Sequence, residues 1–375
     1  MPYWRLSGFY LFYFATLGAL IPYWSLYLKS LGFGPAEIGE LMALLTATKI
    51  VAPNVWGWIS DHTGRRMPIV RLASLLTALS FAAVFFVQGF WWLALVMVLF
   101  SFFWNASLPQ LEVTTLAYLG DNAHRYSTIR LWGSIGFIIA VVTLGRLFDH
   151  HGPELLPYVL LVLLAGIWLM SLQVPEREVS LAHIDHEPLR QVLKRPEVLG
   201  FLGMCFLMAA SHGPYYTFYT IYLQEHGYTR SVIGQLWALG VVAEIGVFLV
   251  IHRLLPRFGL RAILLTSIAL ATLRWLLIGS FVDHLAMLIF AQLLHAASFG
   301  SYHAAAIHLV SKFFTGRHRG RGQALYSSLG LGAGGAIGSL YSGYLWVSLG
   351  PTWAFTIAAA LSAGAFVVVW RRIRA

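Results

Sequence analysis

Charge is scarce in this sequence: Asp, Glu, Lys and Arg make up 11% of 375 residues, while hydrophobic residues make up 58%. That balance excludes an ordinary water-soluble domain, whose exterior must be wetted and carries about a quarter charged residues. Cysteine is nearly absent. The single Cys205 excludes a disulfide framework and any zinc site built from cysteines. Metal-spaced histidines are missing too, and the His150-His151 pair reads as a solvated loop, so neither a metal nor a cofactor is expected. No glycine-framed serine and no paired catalytic aspartates are present, which argues against an intramembrane enzyme. The net charge of +10 does not point to nucleic acid, because the cations are scattered over short segments between apolar runs rather than gathered on one surface.

What is abundant is the long apolar run. Stretches of spanning length fall near 4–28, 36–59, 67–87, 91–118, 127–148 and 155–173, and again near 198–223, 231–253, 261–282, 285–311, 322–346 and 352–370. Each reaches roughly 20 residues, enough to cross a hydrocarbon core about 30 Å thick. The first is too long for a signal peptide and lacks a small-residue cleavage site, so it is read as a retained span. With the N-terminus placed in the cytoplasm, nineteen of the 25 Lys and Arg fall on that side, and only Lys29, Arg146 and Arg230 on the other. The positive-inside rule then puts both termini in the cytoplasm of an inner-membrane protein with lipid on all sides.

The polar stretch 175–196, with Glu176, Arg177, Glu178, Asp185, Glu187 and Arg190, reads as a cytoplasmic linker between a bundle over 1–174 and another over 197–375. Internal repetition supports that division. LYLKSLGFGPAEIGELMAL (26–44) matches IYLQEHGYTRSVIGQLWAL (221–239) at an offset of 195, and GRLFDHHGP (145–153) matches GYLWVSLGP (343–351) at 198. The expected fold is an all-α membrane protein of twelve transmembrane helices in two pseudo-symmetric six-helix bundles. Parallel repeats about an axis along the membrane normal are a transporter architecture.

Between the second and third spans the chain reads Gly57-Trp-Ile-Ser-Asp61-His-Thr-Gly64-Arg65-Arg66. Gly64 permits a tight turn, the arginines anchor it, and Asp61 can meet a helix N-terminus or an arginine across the interface of the halves. Asp121, at the end of the fourth span, is a candidate partner for Arg65 or Arg66. This segment resembles the loop signature of the major facilitator superfamily, and the resemblance implies the major facilitator fold and a gating role for these residues. The second half holds a decayed copy, His252-Arg253-Leu-Leu-Pro256-Arg257-Phe-Gly259-Leu-Arg261, in which Pro256 stands where the aspartate belongs.

A narrower likeness follows from Glu112 and Arg130, from Trp237-Ala-Leu-Gly240-Val-Val-Ala-Glu244, from Leu273-Arg274-Trp275, and from Gln292-Leu-Leu-His295. These resemble the branch of the lactose permease and the phenylpropionate permease, nearer to the latter. The resemblance implies that Glu112 and Arg130 bind the solute, and that a buried carboxyl group carries a proton. Glu244 with Arg274 and His295 is the candidate proton-coupling group. The lactose permease has a glutamate where Ser298 stands here and a lysine where Gln292 stands, which leaves the proton carrier open, with Glu112 the competitor.

Charges inside a span are costly against lipid, so Lys49, Glu112, Arg130, Glu244 and Arg274 are expected to face partners or a watery cavity. Lys49 and Glu244 are separated by the repeat offset and occupy equivalent places with opposite charge. Tyr215, Tyr216 and Trp132 are candidates to line a cavity for an aromatic ligand, and Gly330, Gly332, Gly334, Gly335 and Gly338 suit close helix packing. The expected function is proton-coupled symport of a small organic solute, either an aromatic or other carboxylate or a sugar-like molecule, by a monomeric carrier. An exporter of the same fold is the alternative, and a channel fits the duplicated halves less well.

Overall fold

The computed structural model describes residues 1–177, 189–315 and 318–373. Glu178, Asp185 and Glu187 of the linker, and Arg317 and Arg374 of the loop cations, lie outside the described residues. Helices account for the fold, and no strand occurs among the described residues. Eleven rods are long and apolar enough to cross a membrane: α1 (Tyr3–Ser30), α2 (Pro35–Thr63), α3 (Met67–Phe85), α4 (Phe90–Asn122), α5 (Tyr126–His151), α6 (Pro153–Gln173), α7 (Pro196–Glu225), α8 (Arg230–Phe258), α9 (Leu260–Ser280), α10 (Leu285–Phe313) and α12 (Pro351–Arg372). The twelfth span, α11 (318–348), is divided. It runs as His318–Leu325, a π-helical stretch Tyr326–Gly334, and Gly335–Ser348. The linker also holds a short helix, Leu189–Lys194, that its polar composition did not announce.

The outer surface is apolar where a soluble protein would be charged. Trp4, Phe86, Trp91, Val162 and Leu249 are each at least two-thirds exposed, which suits contact with lipid chains.

Two symmetric helix pairs join the halves: α2 packs on α11, and α8 packs on α5. Small residues permit both. A methyl group at Gly343 would lie 2.6 Å from the Pro35 carbonyl oxygen, and one at Gly145 would lie 2.5 Å from the Arg230 carbonyl oxygen. Pro35 and Arg230 are themselves 195 positions apart, so the duplicated sequence makes a duplicated contact. The turn that follows α2 repeats as well. Gly64 (φ 66°) and Gly259 (φ 79°) both adopt the left-handed backbone that a side chain resists.

Span α7 bends at His212 because Pro214 has no N–H to give to the Ala210 carbonyl. The oxygen accepts instead from a backbone N–H at the bend and from Tyr341 Oη at 3.2 Å. One turn earlier, His212 Nδ1 donates to the Met208 oxygen at 2.7 Å. Neighbours thus replace the bonds that lipid cannot supply.

Candidate functional site

A cavity of about 310 Å³ lies between the halves and draws its wall from both. Its size falls at the lower end of the range for small-molecule sites, roughly 300 to 1,000 Å³. The N-terminal half contributes Phe14 from α1, Lys49 from α2, and Arg130 and Phe137 from α5. The C-terminal half contributes Tyr216 from α7, Trp237 and Glu244 from α8, His295 and Phe299 from α10, and Tyr326 from α11. Both α10 and α11 are π-helical beside it, over Ala296–Ser301 and Tyr326–Gly334. One extra residue per turn rotates the side chains that follow, and such segments recur at functional sites.

Lys49 and Arg130 are the cations of this wall and Glu244 is its carboxylate. Among the described residues Lys49 makes no hydrogen bond or ion pair, and Arg130 makes none either. The Arg130 guanidinium lies flat over the Phe14 ring, 3.6 Å from its centroid. Glu244 Oε2 stands 3.7 Å from His295 Nε2, and the His295, Phe299 and His303 rings stack in succession along α10.

The structure therefore gathers Lys49, Arg130, Tyr216, Glu244 and His295 at one cavity, and sets four other candidates apart from its wall. Glu112 does not line it. Its carboxylate accepts from Tyr126 Oη at 3.1 Å and forms no direct ion pair with Arg130. Trp132 sits at the end of the bundle near the N-terminus, donating to Tyr3 Oη at 3.0 Å and meeting Trp4 edge-on. Tyr215 stands behind the wall and donates to Gln292 Oε1 at 3.1 Å. Arg274 is wholly buried beside it, donating to Ser298 Oγ and Gln292 Oε1, both at 3.2 Å, with the Tyr215 ring 4.2 Å from its guanidinium carbon. It touches neither Glu244 nor His295 by hydrogen bond among the described residues. Gln292 and Ser298, where the sequence departs from the lactose permease, are its two acceptors.

At the end of the bundle carrying both termini, Arg66 Nη2 pairs with Asp61 Oδ1 at 3.0 Å, and its Nη1 donates to Gln110 Oε1 at 2.5 Å. Asp61 thus meets an arginine of its own loop rather than one across the interface. Arg65 and Asp121 are exposed and form no ion pair with each other, and Asp121 does not reach Arg66. Gly57 has open space around it. Glu176, at the start of the linker, accepts from the backbone N–H groups of Arg66 and Met67 at 3.2 and 3.0 Å and so caps α3.

The halves are latched at the opposite end. Lys29 Nζ meets Glu225 Oε1 at 2.6 Å, and Tyr344 Oη meets Glu40 Oε1 at 2.5 Å. Asp149 accepts from the backbone N–H groups of Arg230 and Ser231 at 2.8 and 3.0 Å, and from the Ser231 hydroxyl, capping α8 from the other half. Toward the termini, Asn54 Nδ2 donates to Ser328 Oγ at 3.1 Å, and no polar bond joins the halves beyond it among the described residues.

Phe14, Phe137, Trp237, Phe299 and Tyr326 were not singled out as cavity residues from sequence. An aromatic residue in an apolar span gives no signal that separates cavity wall from core or lipid face.

Comparison with known proteins gives a consistent picture. A family model described as "MFS_1 like family" matches residues 3–357. The "Probable 3-phenylpropionic acid transporter" of Escherichia coli (strain K12) is 30% identical over 367 residues, covering 92% of each chain. The "Maltose permease" of Geobacillus stearothermophilus is 26% identical over 90% of this chain and 86% of its own. Among solved structures, a variant of the nucleoside transporter NupG superimposes with a TM-score of 0.86 at 17% identity, over 99% of this chain and 100% of that one.

Proposed function

The chain belongs to the MFS_1 like family, and from that premise we propose that it is a proton-coupled symporter of a small aromatic or other organic carboxylate, working by alternating access. It is a membrane transporter of small molecules and not an enzyme, like its family and its relatives. The observation that carries the substrate class is a pair of cations that, among the described residues, make no hydrogen bond or ion pair. Lys49 and Arg130 face a small cavity whose wall is otherwise largely apolar and aromatic, against the single carboxylate of Glu244. Guanidinium binds a carboxylate through two parallel hydrogen bonds, and aromatic walls suit an aryl group. A sugar would not require an excess of positive charge. The name of the Escherichia coli relative points to the same class.

Glu244 with His295 beside it is the assigned proton carrier, and buried Arg274 supplies a fixed positive charge behind them. The loop charges support an inner-membrane protein with both termini in the cytoplasm. The latched end then faces outward, and the cavity is poised toward the cytoplasm. Residues 1–174 and 197–375 rock about the cavity, 175–196 joins them, and the loop of Gly57, Asp61, Gly64, Arg65 and Arg66, with Asp121 nearby, gates the cytoplasmic side. The proposed transporting unit is a monomer.

The test is uptake of radiolabelled 3-phenylpropionate by proteoliposomes under an imposed pH gradient, acid outside, against protein-free vesicles. Protein-dependent accumulation that a protonophore abolishes is expected. No protein-dependent proton movement with any member of a panel of aryl and alkyl carboxylates would overturn the proposal.

A further inference from the structure

Glu112 and Arg130 carry opposite charges on adjacent spans within the membrane, where an ion pair is worth more than in water. They nevertheless stand apart, and particular side chains hold each one. Glu112 is engaged by Tyr126 Oη at 3.1 Å, and Tyr126 is itself set by an edge-on contact with Tyr10, ring centroids 6.3 Å apart. Tyr10 in turn donates to Thr115 Oγ1, one turn beyond Glu112 on α4. Arg130 bends the other way. Its guanidinium folds over Gly133, one turn later on α5, and rests on the Phe14 ring. A methyl group at Gly133 would lie 2.6 Å from Arg130 Nη1 and 2.7 Å from Phe14 Cδ2, so only glycine leaves room for this arrangement.

We infer that Tyr126, Phe14 and Gly133 are positioning residues that keep Glu112 and Arg130 apart, so that the Arg130 guanidinium stays free for the carboxylate of the incoming solute. The inference rests on the assignment of that carboxylate to Arg130. Phe14 satisfies the cation through its ring face without using any N–H, and a cation on a ring face keeps its donors available. Tyr126 supplies Glu112 with a neutral donor, which satisfies the carboxylate without consuming the arginine. Remove either hold, and the two charges close on each other and compete with the solute.

The test measures binding of 3-phenylpropionate to the purified full chain in nanodiscs. Tyr126→Phe is expected to weaken binding by about tenfold, the scale on which a partly buried ion pair competes. Adding Glu112→Gln to Tyr126→Phe removes the competitor and is expected to restore binding to within about threefold of wild type. Gly133→Ala displaces the guanidinium from the other side, with the same loss and the same rescue by Glu112→Gln. The Gly133→Ala arm is the discriminating one, because that substitution takes no partner from Glu112 and a purely structural defect there would not be rescued by Glu112→Gln. Wild-type affinity in both Tyr126→Phe and Gly133→Ala overturns the inference, as does failure of Glu112→Gln to rescue either one. Arg130→Lys separates the two layers of the argument. If that variant binds as wild type, the assignment of the carboxylate to Arg130 fails, whatever Tyr126 does.

Discussion

Lys49 and Glu244 lie 195 positions apart, the offset of the internal repeat, and they face one cavity from opposite halves. Two equivalent positions of the repeat thus stand on either side of the cavity with opposite charge. A cation and a carboxylate in symmetric places allow different tasks, anion attraction on one side and proton exchange on the other.

For Glu244 the consequence is a separation of transport modes. Glu244→Gln cannot release a proton and is expected to lose accumulation driven by a pH gradient while keeping solute exchange at equilibrium. Proteoliposome uptake and counterflow measured side by side check this. Full accumulation by the variant would remove Glu244 from the proton path.

Arg130→Lys keeps the charge and loses the planar fork. Binding of an aryl carboxylate is expected to fall by about tenfold, ~1.4 kcal/mol, because an ammonium group acts as a point charge. A titration of wild type and variant in nanodiscs reads the difference.

Asp149 caps α8 from the opposite half, through two backbone N–H groups and the Ser231 hydroxyl. A lost cap costs roughly 0.5 to 2 kcal/mol. Asp149→Ala is therefore expected to shift the carrier toward opening at the latched end. The measurement is the reaction of an introduced Ile21→Cys, a cavity position, with an impermeant thiol reagent in a Cys205→Ser background. Labelling from the side of Lys29 is expected to accelerate several-fold.

The bend in α7 makes a stability prediction. Tyr341→Phe takes away one of the donors to the Ala210 carbonyl and leaves it the backbone N–H at the bend. The expected cost is that of one hydrogen bond, about 0.5–1.5 kcal/mol, visible as a lower melting midpoint. An unchanged midpoint would mean that the carbonyl finds another donor.

The sequence was most legible where membrane physics leaves few choices. Apolar runs of spanning length and the intramembrane charges follow from the cost of the alternative in lipid, and the loop glycines Gly64 and Gly259 from turns whose positive φ a side chain resists. The division of α11 was not legible, because a π-helical stretch is set by neighbouring helices: methyl groups at Gly332 and Gly334 would collide with Ile50 and Phe206. The five glycines announced close packing but not the change of helical period. Within the site, Lys49, Arg130 and Glu244 were found through their charge. Phe14, Trp237 and Phe299 were not, since an aromatic ring suits cavity, core and lipid alike. Trp132 shows the reverse, a conspicuous aromatic residue beside Arg130 in sequence whose indole turns away to Tyr3. Glu112 was read with Arg130 as binding the solute, and the detail that separates them, Tyr126 on one side and Phe14 on the other, exists only in three dimensions.

The central claim is that two cations in an aromatic cavity, Lys49 and Arg130, recognise an organic carboxylate. The most direct measurement compares calorimetric binding of 3-phenylpropionate with that of its uncharged amide, in the wild type and in a Lys49→Gln, Arg130→Gln double variant. The account predicts that the wild type prefers the acid by at least about tenfold and that the double variant loses this preference. Equal binding of acid and amide by the wild type, or a preference that survives both substitutions, would contradict it.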